Sequence, residues 1–354
     1  MLLPHAAATS GGGLETIGTP TLWAVTLGAV VALLALDFVL TRKPHAVSMK
    51  EAVGWSVFYV ALPLTFGAWI WSQYGQGTGV EYLTGYLVEK SLSVDNLFVF
   101  MLLLTAFAVP KELQQRVLLY GIIGALVLRG IFIALGAAAL NSFDAAFLVF
   151  GAILLITGIK LLKDALSDEE HEMDVDQIKS VRFVRRFMPV TKDYEGPRMF
   201  GRIDGKRALT PFALVTIAVL ATDIVFAVDS VPAVYGITGD PYLVFATNAF
   251  ALLGLRALYF VLEAALSKLV HLSFGLAAIL FFIGAKLVLH WGHLTWPSVP
   301  EIPTVASLVV IVGILALTTA TSLVASKRAE ERAAQDEAAG SGSSEGRRDD
   351  APVA

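Results

Sequence analysis

Nine stretches of the chain are apolar over about 20 residues, the length that a helix needs to cross the hydrocarbon core of a bilayer. They are Thr21–Leu40, Ala52–Trp71, Tyr82–Ala108, Val117–Leu140, Ala145–Leu162, Ala208–Tyr235, Tyr242–Leu266, Leu269–Leu289 and Pro303–Ala325. Two of these windows, Ala52–Trp71 and Pro303–Ala325, contain no charged residue. The pattern predicts an all-α, polytopic membrane protein with about nine transmembrane helices.

The composition supports this fold class. Hydrophobic residues make up 56% of the chain and charged residues 16%, whereas soluble domains carry about 25% charged residues. The chain contains no cysteine, so a metal ion would need oxygen or histidine ligands. The net charge of −4 gives no sign of nucleic-acid binding. Residues 1–20 contain no Lys or Arg, so no cleaved signal is predicted and the first helix is expected to remain.

Basic residues occur in alternate connectors between the apolar windows. Arg42 and Lys43 follow the first window and many more basic residues lie in the long polar loop 164–207, whereas the connector 73–80 carries no charge. Because positive residues remain cytoplasmic, the pattern predicts an external N-terminus and a cytoplasmic C-terminus in the inner (plasma) membrane. The expected organisation is an extracytoplasmic segment 1–20, a transmembrane domain 21–325 and a disordered cytoplasmic tail 326–354.

The chain contains an internal repeat. Glu89–Asn96 and Asp223–Ser230 both read as an acid, five residues, an Asp and a small polar residue, and Ala152–Lys160 later matches Ala278–Lys286. The copies therefore span the third to fifth and the sixth to eighth helices, at about 81–163 and 208–290. Because three is odd, the second copy enters the membrane from the opposite side, which predicts an inverted repeat with a substrate site near the midplane.

Four acids lie inside the third and sixth apolar windows, namely Glu89, Asp95, Asp223 and Asp229. A carboxylate near the bilayer centre costs roughly 2.5 kcal/mol or more, so four in two equivalent pairs favour a cation site over a structural role. Asn96 and Ser230 add neutral oxygens to this predicted metal site. On antiparallel regular helices, Glu89 would lie level with Asp229, and Asp95 with Asp223, in two tiers about 9 Å apart.

The spacing within each motif leaves two arrangements open. A step of six residues places Glu89 and Asp95 on different faces of a regular helix, so either the helix unwinds between them or two ions bind in tiers. Pro232 frees the carbonyl of Val228. It therefore predicts either a broken helix with a backbone ligand or an ordinary transmembrane kink.

Basic residues within the windows are candidate counter-charges. Arg129 and Arg256 fall mid-helix at equivalent positions of the repeat. If each offsets one carboxylate, two negative charges remain for one divalent ion; otherwise proton exchange makes up the difference. Asp37, near the inner end of the first helix, is either a gate or an interfacial residue. Lys160 and Lys286 lie near helix ends and are expected to snorkel.

The ligand types restrict the ion. Carboxylate, amide and hydroxyl oxygens suit Mg²⁺, Ca²⁺ or Mn²⁺, and the motifs contain no His or Met that would favour Cu, Ni or Zn. The expected partners are this transported ion and the lipid bilayer, without a tightly bound cofactor or a nucleic acid. Self-association of several copies is compatible with the sequence.

The segments Glu89–Asn96 and Asp223–Ser230, on a multi-span chain with a polar loop between them, resemble the TerC family of bacterial membrane proteins named for tellurium resistance. The resemblance covers most of the chain, from about the first helix to the last. It implies Mn²⁺ efflux, and it implies that Glu89, Asp95, Asp223 and Asp229 are the transport residues. Tellurite resistance itself implies no chemistry here, because an oxyanion would not seek four carboxylates.

Two other functional classes compete with transport. An intramembrane metal-dependent enzyme could use two acids to hold a metal and activate water, but the sequence contains no HExxH motif. A membrane assembly or stress-resistance factor could act through the long loop, where the acidic stretch 168–176 around His171 reads either as a solvated surface or as a weak cation-collecting patch. That class leaves the buried carboxylates unexplained.

Overall fold

The computed structural model describes residues 15–40, 48–166, 179–191, 193–194, 196–203, 205–263 and 271–345. These residues form ten helices and one antiparallel pair of strands, in the order α1 (Pro20–Leu40), α2 (Met49–Ala106), α3 (Lys111–Ser142), α4 (Ala145–Leu166), α5 (Lys179–Phe187), β1 (Phe200–Ile203), β2 (Lys206–Leu209), α6 (Pro211–Tyr235), α7 (Pro241–Leu253), α8 (Leu255–Glu263), α9 (Leu272–Thr295) and α10 (Thr304–Glu345). The predicted all-α polytopic architecture is confirmed.

The long helix α2 is a hairpin of two membrane spans. Its 58 residues would extend for about 87 Å as one helix, far more than a bilayer. Gly75 interrupts it with φ 90° and ψ 176°, a conformation that glycine adopts readily because it has no Cβ. The second arm then returns along the first, since the Tyr82 hydroxyl donates to the Pro63 carbonyl at 3.2 Å.

Counted over the described residues, the spans agree with the hydropathy windows. Seven helices are long and apolar enough to cross a membrane, and α7 and α8 together form a further, bent span. Treating the two arms of α2 separately gives nine spans. The core lies mainly where the second arm of α2, α3, α6 and α7 pack together.

Helices α4 and α9, which correspond in the two copies, pack against each other at their glycines. A methyl group added at Gly151 would meet the Gly284 carbonyl oxygen at 2.9 Å, and one added at Gly158 would meet the Ala277 carbonyl oxygen at 3.4 Å. The contact that lies earlier on α4, at Gly151, lies later on α9, at Gly284, so the two helices are antiparallel. In the repeat, Gly158 corresponds to Gly284, and the same offset makes Gly151 correspond to Ala277. The residues of one contact are therefore the repeat equivalents of the residues of the other.

The seventh predicted span is broken, which the sequence did not indicate. α7 and α8 meet at Gly254 and are bent by 42°. A Cβ at Gly254 would lie 3.0 Å from both the Tyr59 Cβ and the Lys90 Nζ, so the close approach requires glycine. Lys90 donates to the Ala251 carbonyl at 3.3 Å, near the C-terminal end of α7, where the helix dipole favours a cation.

The polar segments differ from expectation in two places. The loop 164–207 includes α5 and the β1–β2 hairpin, while its stretch 167–178, with His171, lies outside the described residues. The prediction of disorder from residue 326 was wrong as far as Glu345, because α10 continues to that residue. The Ala-, Glu- and Arg-rich sequence after the span favours a helix, and the span itself supplies the nucleus.

Candidate functional site

Arg129 lies at the centre of a buried polar cluster that four helices assemble. Its side chain, on α3, is 1% exposed. Nη1 donates to Glu89 Oε1 on the second arm of α2 and, at 2.9 Å, to Asn248 Oδ1 on α7. Nη2 lies 3.4 Å from Asp223 Oδ1 on α6. One guanidinium therefore joins the first acids of the two repeated motifs.

Spare polar atoms surround this ion pair. Glu89, Ser93 and Asn96 recur at steps of four and three residues on α2, and Asp223 and Ser230 lie seven apart on α6, so each set shares one helix face. Within the described residues, four buried oxygens at the cluster have no hydrogen-bond partner: Glu89 Oε2, Asp223 Oδ2, Ser93 Oγ and Ser230 Oγ. Buried polar groups without partners are costly, and hard-cation chemistry would satisfy these oxygens.

The second acids of the motifs lie beside this cluster. Asp95 and Asp229 are half-buried, and neither is bonded to Arg129 in the described structure. Asp95 and Asp229 are thus more accessible than Glu89 and Asp223, which are buried.

The two levels of acids that the sequence predicted are not seen in the positions of the side chains. Glu89 and Asp223, predicted at different levels about 9 Å apart, both contact the same guanidinium. The long, forked side chain of Arg129 spans the distance between two crossing helices. The functional grouping is therefore one buried pair and one half-buried pair of equivalent acids.

The helices that carry the motifs are continuous. α6 runs without a break from Pro211 to Tyr235 and includes Pro232, and α2 is regular through its motif. Of the two alternatives that Pro232 left open, a broken helix or an ordinary proline within a transmembrane helix, the structure shows the second.

Arg256 does not face the motif acids, which corrects its predicted role as their counter-charge. Its Nη2 lies 2.8 Å from Asp37 Oδ1, and its Nη1 donates to Gln115 Oε1 at 3.0 Å. Tyr59 donates a third bond of this network, at 2.8 Å, to Asp37 Oδ1. Asp37 is therefore buried in an ion pair.

Asn248 is the residue of the cluster that sequence reasoning missed. Its Oδ1 accepts from Arg129, and its Nδ2 donates to the Val244 carbonyl at 3.0 Å, which orients the amide. The sequence signal that could have indicated Asn248 was an amide side chain within a predicted transmembrane window. It lay outside the repeated motif and carried no charge, so nothing in its spacing marked it.

The described side chains are not arranged as a metal site in this structure. Among the described residues, no three His, Asp or Glu side chains could together hold a metal ion. The guanidinium of Arg129 lies between Glu89 and Asp223 and contacts both acids. The cavity of about 850 Å³ beneath α5, lined in part by Phe107 and Tyr194, contains none of the motif residues.

The fold and this cluster define a polytopic integral membrane protein with ionisable residues buried inside its helix bundle. The profile of the Integral membrane protein TerC family matches residues 74–330, and the chain belongs to that family. The resemblance inferred from the acidic motifs is thereby confirmed.

The most informative relatives are full-length bacterial membrane proteins. The chain is 41% identical to an uncharacterized membrane protein of Myxococcus xanthus, over 89% of this chain and 95% of that protein. It is 42% identical to the putative membrane-bound redox modulator Alx of Escherichia coli (strain K12), over 86% of this chain and 95% of that protein. An uncharacterized membrane protein of Mycobacterium tuberculosis is also 42% identical, over 85% of this chain and 78% of its own length. No solved structure matches the chain significantly.

Proposed function

We propose that this protein exports a divalent metal cation, Mn²⁺ by preference, through the acids of its two inverted motifs. The observation that carries the proposal is the buried pair of Glu89 and Asp223, held by Arg129 with one oxygen of each carboxylate unpartnered. Ionisable residues inside a membrane are expensive and mark ion pathways. The preference for Mn²⁺ over Ca²⁺ and the outward direction rest on the family resemblance.

Arg129 supplies the mechanism of exchange. Its guanidinium neutralises part of the charge of Glu89 and Asp223 while no ion is bound between them, which lowers the cost of keeping two acids in the membrane. An arriving ion first meets the half-buried pair, Asp95 and Asp229. The ion then competes with Arg129 for the carboxylates of Glu89 and Asp223. The hydroxyl oxygens of Ser93 and Ser230 complete its ligands.

The charge count favours proton exchange. Because Arg256 belongs to the Asp37 network, Arg129 is the one basic side chain that forms ion pairs with the motif acids among the described residues, and three negative charges remain when all four acids are ionised. One divalent ion neutralises two of them. Two protons neutralise the same two charges when no ion is bound, so the ion and the protons displace each other, and metal movement in one direction is coupled to proton movement in the other.

A redox role is the second candidate, since one relative bears the name of a putative redox modulator. This chain contains no cysteine, so it has no thiols for redox exchange. Metal export uses the buried carboxylates, which thiol-independent redox chemistry would leave without a role. The absence of an HExxH motif from the sequence favours a transporter over an intramembrane metal-dependent enzyme.

Metal flux into proteoliposomes tests the proposal. Liposomes containing the full chain are expected to pass Mn²⁺ faster than protein-free liposomes. The flux should be faster still when a proton gradient drives protons in the direction opposite to the metal. Mn²⁺, Ca²⁺ and Mg²⁺ are compared with a fluorescent metal indicator inside the vesicles. Flux equal to that of empty liposomes for all three ions would contradict the transport proposal.

The orientation of export requires the topology that the charge pattern predicts. A reporter fused at Gly196, next to β1, is expected to behave as cytoplasmic, and one fused at Gly77, next to the α2 turn, as external. An alkaline phosphatase and fluorescent-protein pair distinguishes the two sides. The opposite pattern would reverse the proposed direction.

A further inference from the structure

A cavity of about 390 Å³ lies where α4, α6 and α9 meet the start of α10. Phe147 and Tyr235 form part of its apolar wall, and its polar wall includes Lys286, Glu301 and Thr304. None of the four motif acids lines it. The cavity is therefore a place in the fold separate from the buried polar cluster described above.

Lys286 brings a buried ammonium to this cavity. The residue, on α9, is 9% exposed and lines the cavity. It forms no ion pair or hydrogen bond with any residue that the structure describes. The expectation that Lys286 snorkels was wrong. A buried charge without a partner is costly, and an anion in the same cavity would offset that cost.

The first turn of α10 supplies further donors to the cavity. Ile302, Pro303 and Thr304 line it, and the first helical bond of α10 runs from the Ser307 N–H to the Pro303 carbonyl at 3.1 Å. The N–H groups of Thr304 and the two residues after it precede this bond, so the helix itself does not satisfy them. Pro303 has no side-chain acceptor that could cap them. Such N–H groups, together with the helix dipole, attract anions.

His290 and Glu301 complete the polar wall and bond to each other. Nδ1 of His290 lies 2.8 Å from Oε1 of Glu301, and the two side chains are 32% and 50% exposed. The negative charge of Glu301 opposes an anion, but water screens an exposed charge and the imidazole already engages the carboxylate. Lys286 and the α10 N-terminus are therefore the groups that attract an anion into the cavity.

We propose that this cavity binds an oxyanion of the phosphate type between the Lys286 ammonium and the first turn of α10. A tetrahedral oxyanion has several acceptor oxygens, so it accepts from the ammonium, from the N–H groups and from the Thr304 hydroxyl at the same time. A cavity of about 390 Å³ has room for such an ion and for water beside it. The bound ion joins α9 to α10. Metal export is not required for this binding.

Equilibrium dialysis of radiolabelled inorganic phosphate against the purified full chain in detergent measures this binding. Lys286→Met is expected to raise the Kd for phosphate at least about tenfold, the loss expected for a hydrogen bond to a charged group. Lys286→Arg keeps the positive charge and should keep the binding. Lys160→Met removes the corresponding lysine of the first repeat, which is exposed, and should bind phosphate like the wild type.

Thr304→Asp tests the helix end independently of Lys286. An aspartate in the first turn of a helix is favourable, so the fold should be retained, and the new carboxylate takes the place of the anion. This variant is expected to lose phosphate binding. Thr304→Asn has nearly the same shape without the charge and should retain it.

The same chemistry is available from phosphate in solution and from a lipid headgroup, and the lipid environment distinguishes the two sources. If free phosphate is the ligand, its Lys286-dependent binding should persist in phosphatidylglycerol nanodiscs. If the headgroup is the ligand, the binding seen in detergent should disappear in those nanodiscs, because the lipid phosphate occupies the cavity. Either result supports the oxyanion site.

The oxyanion site would be overturned if neither phosphate nor phosphatidylglycerol binds the wild-type chain in detergent, or if both bind the Lys286→Met variant equally well. Should Lys286→Met fail to fold, Lys286→Gln takes its place. Phosphate binding that persists in Thr304→Asp would likewise remove the α10 N-terminus from the site. Because the assay involves neither metal nor transport, these results leave the export proposal untouched.

Discussion

Asp95→Asn and Asp229→Asn are each expected to abolish Mn²⁺ export while the protein still reaches the membrane. Both acids are half-buried and stand outside the Arg129 ion pair in the described structure. Asparagine keeps the shape but removes the charge that attracts the ion. Because no buried counter-charge is left unpaired, the cost to folding is small.

Cellular Mn content after a manganese load measures this effect in cells that lack their own exporters. Wild-type protein should lower the content, and the two variants should leave it at the level of the empty vector. Asp193→Asn changes an exposed acid in the segment before β1 and serves as the control, with full export expected. Export by both motif variants at the wild-type rate would show that the ion does not use these acids.

Arg129→Gln is expected to lower the free energy of unfolding by about 3–5 kcal/mol, the usual cost of removing one partner from a buried ion pair. Glu89 and Asp223 would then repel each other without a counter-charge. Adding Glu89→Gln should recover part of the loss, because contacting charges are coupled. Thermal unfolding of the detergent-solubilised variants measures both steps.

The Asp37–Arg256 pair provides a matched control for this cycle. Arg256→Gln and Asp37→Asn should compensate each other, since the two side chains lie 2.8 Å apart. Arg129→Gln combined with Asp37→Asn should be additive, because no contact joins them. Compensation between Arg129 and Asp37 in place of Glu89 would mean that the two arginines pair differently from the arrangement described.

The acidic motifs show how far sequence reasoning reached at the site. The repeated motifs predicted buried polar groups inside the bundle, and four of them are buried in the structure: Glu89, Asn96, Asp223 and Ser230. Asn248 could not be found, because its role depends on where α7 crosses α3. The bend at Gly254 was equally hidden, since the apolar window continues unchanged through it.

The sequence by itself determined the membrane spans, the repeat and the acids of the two motifs. Each of these follows from a local property: an apolar run must be long enough for the bilayer, and an acid within such a run has no water to face. Only the tertiary structure decided which charges meet. Arg129 and Arg256 are equivalent in sequence, yet Arg129 joins the motif acids and Arg256 joins Asp37. α1 and the first arm of α2 lie outside the repeat and bring Asp37 and Tyr59 to one copy only, so the packing of unrepeated helices breaks the symmetry that the sequence suggested.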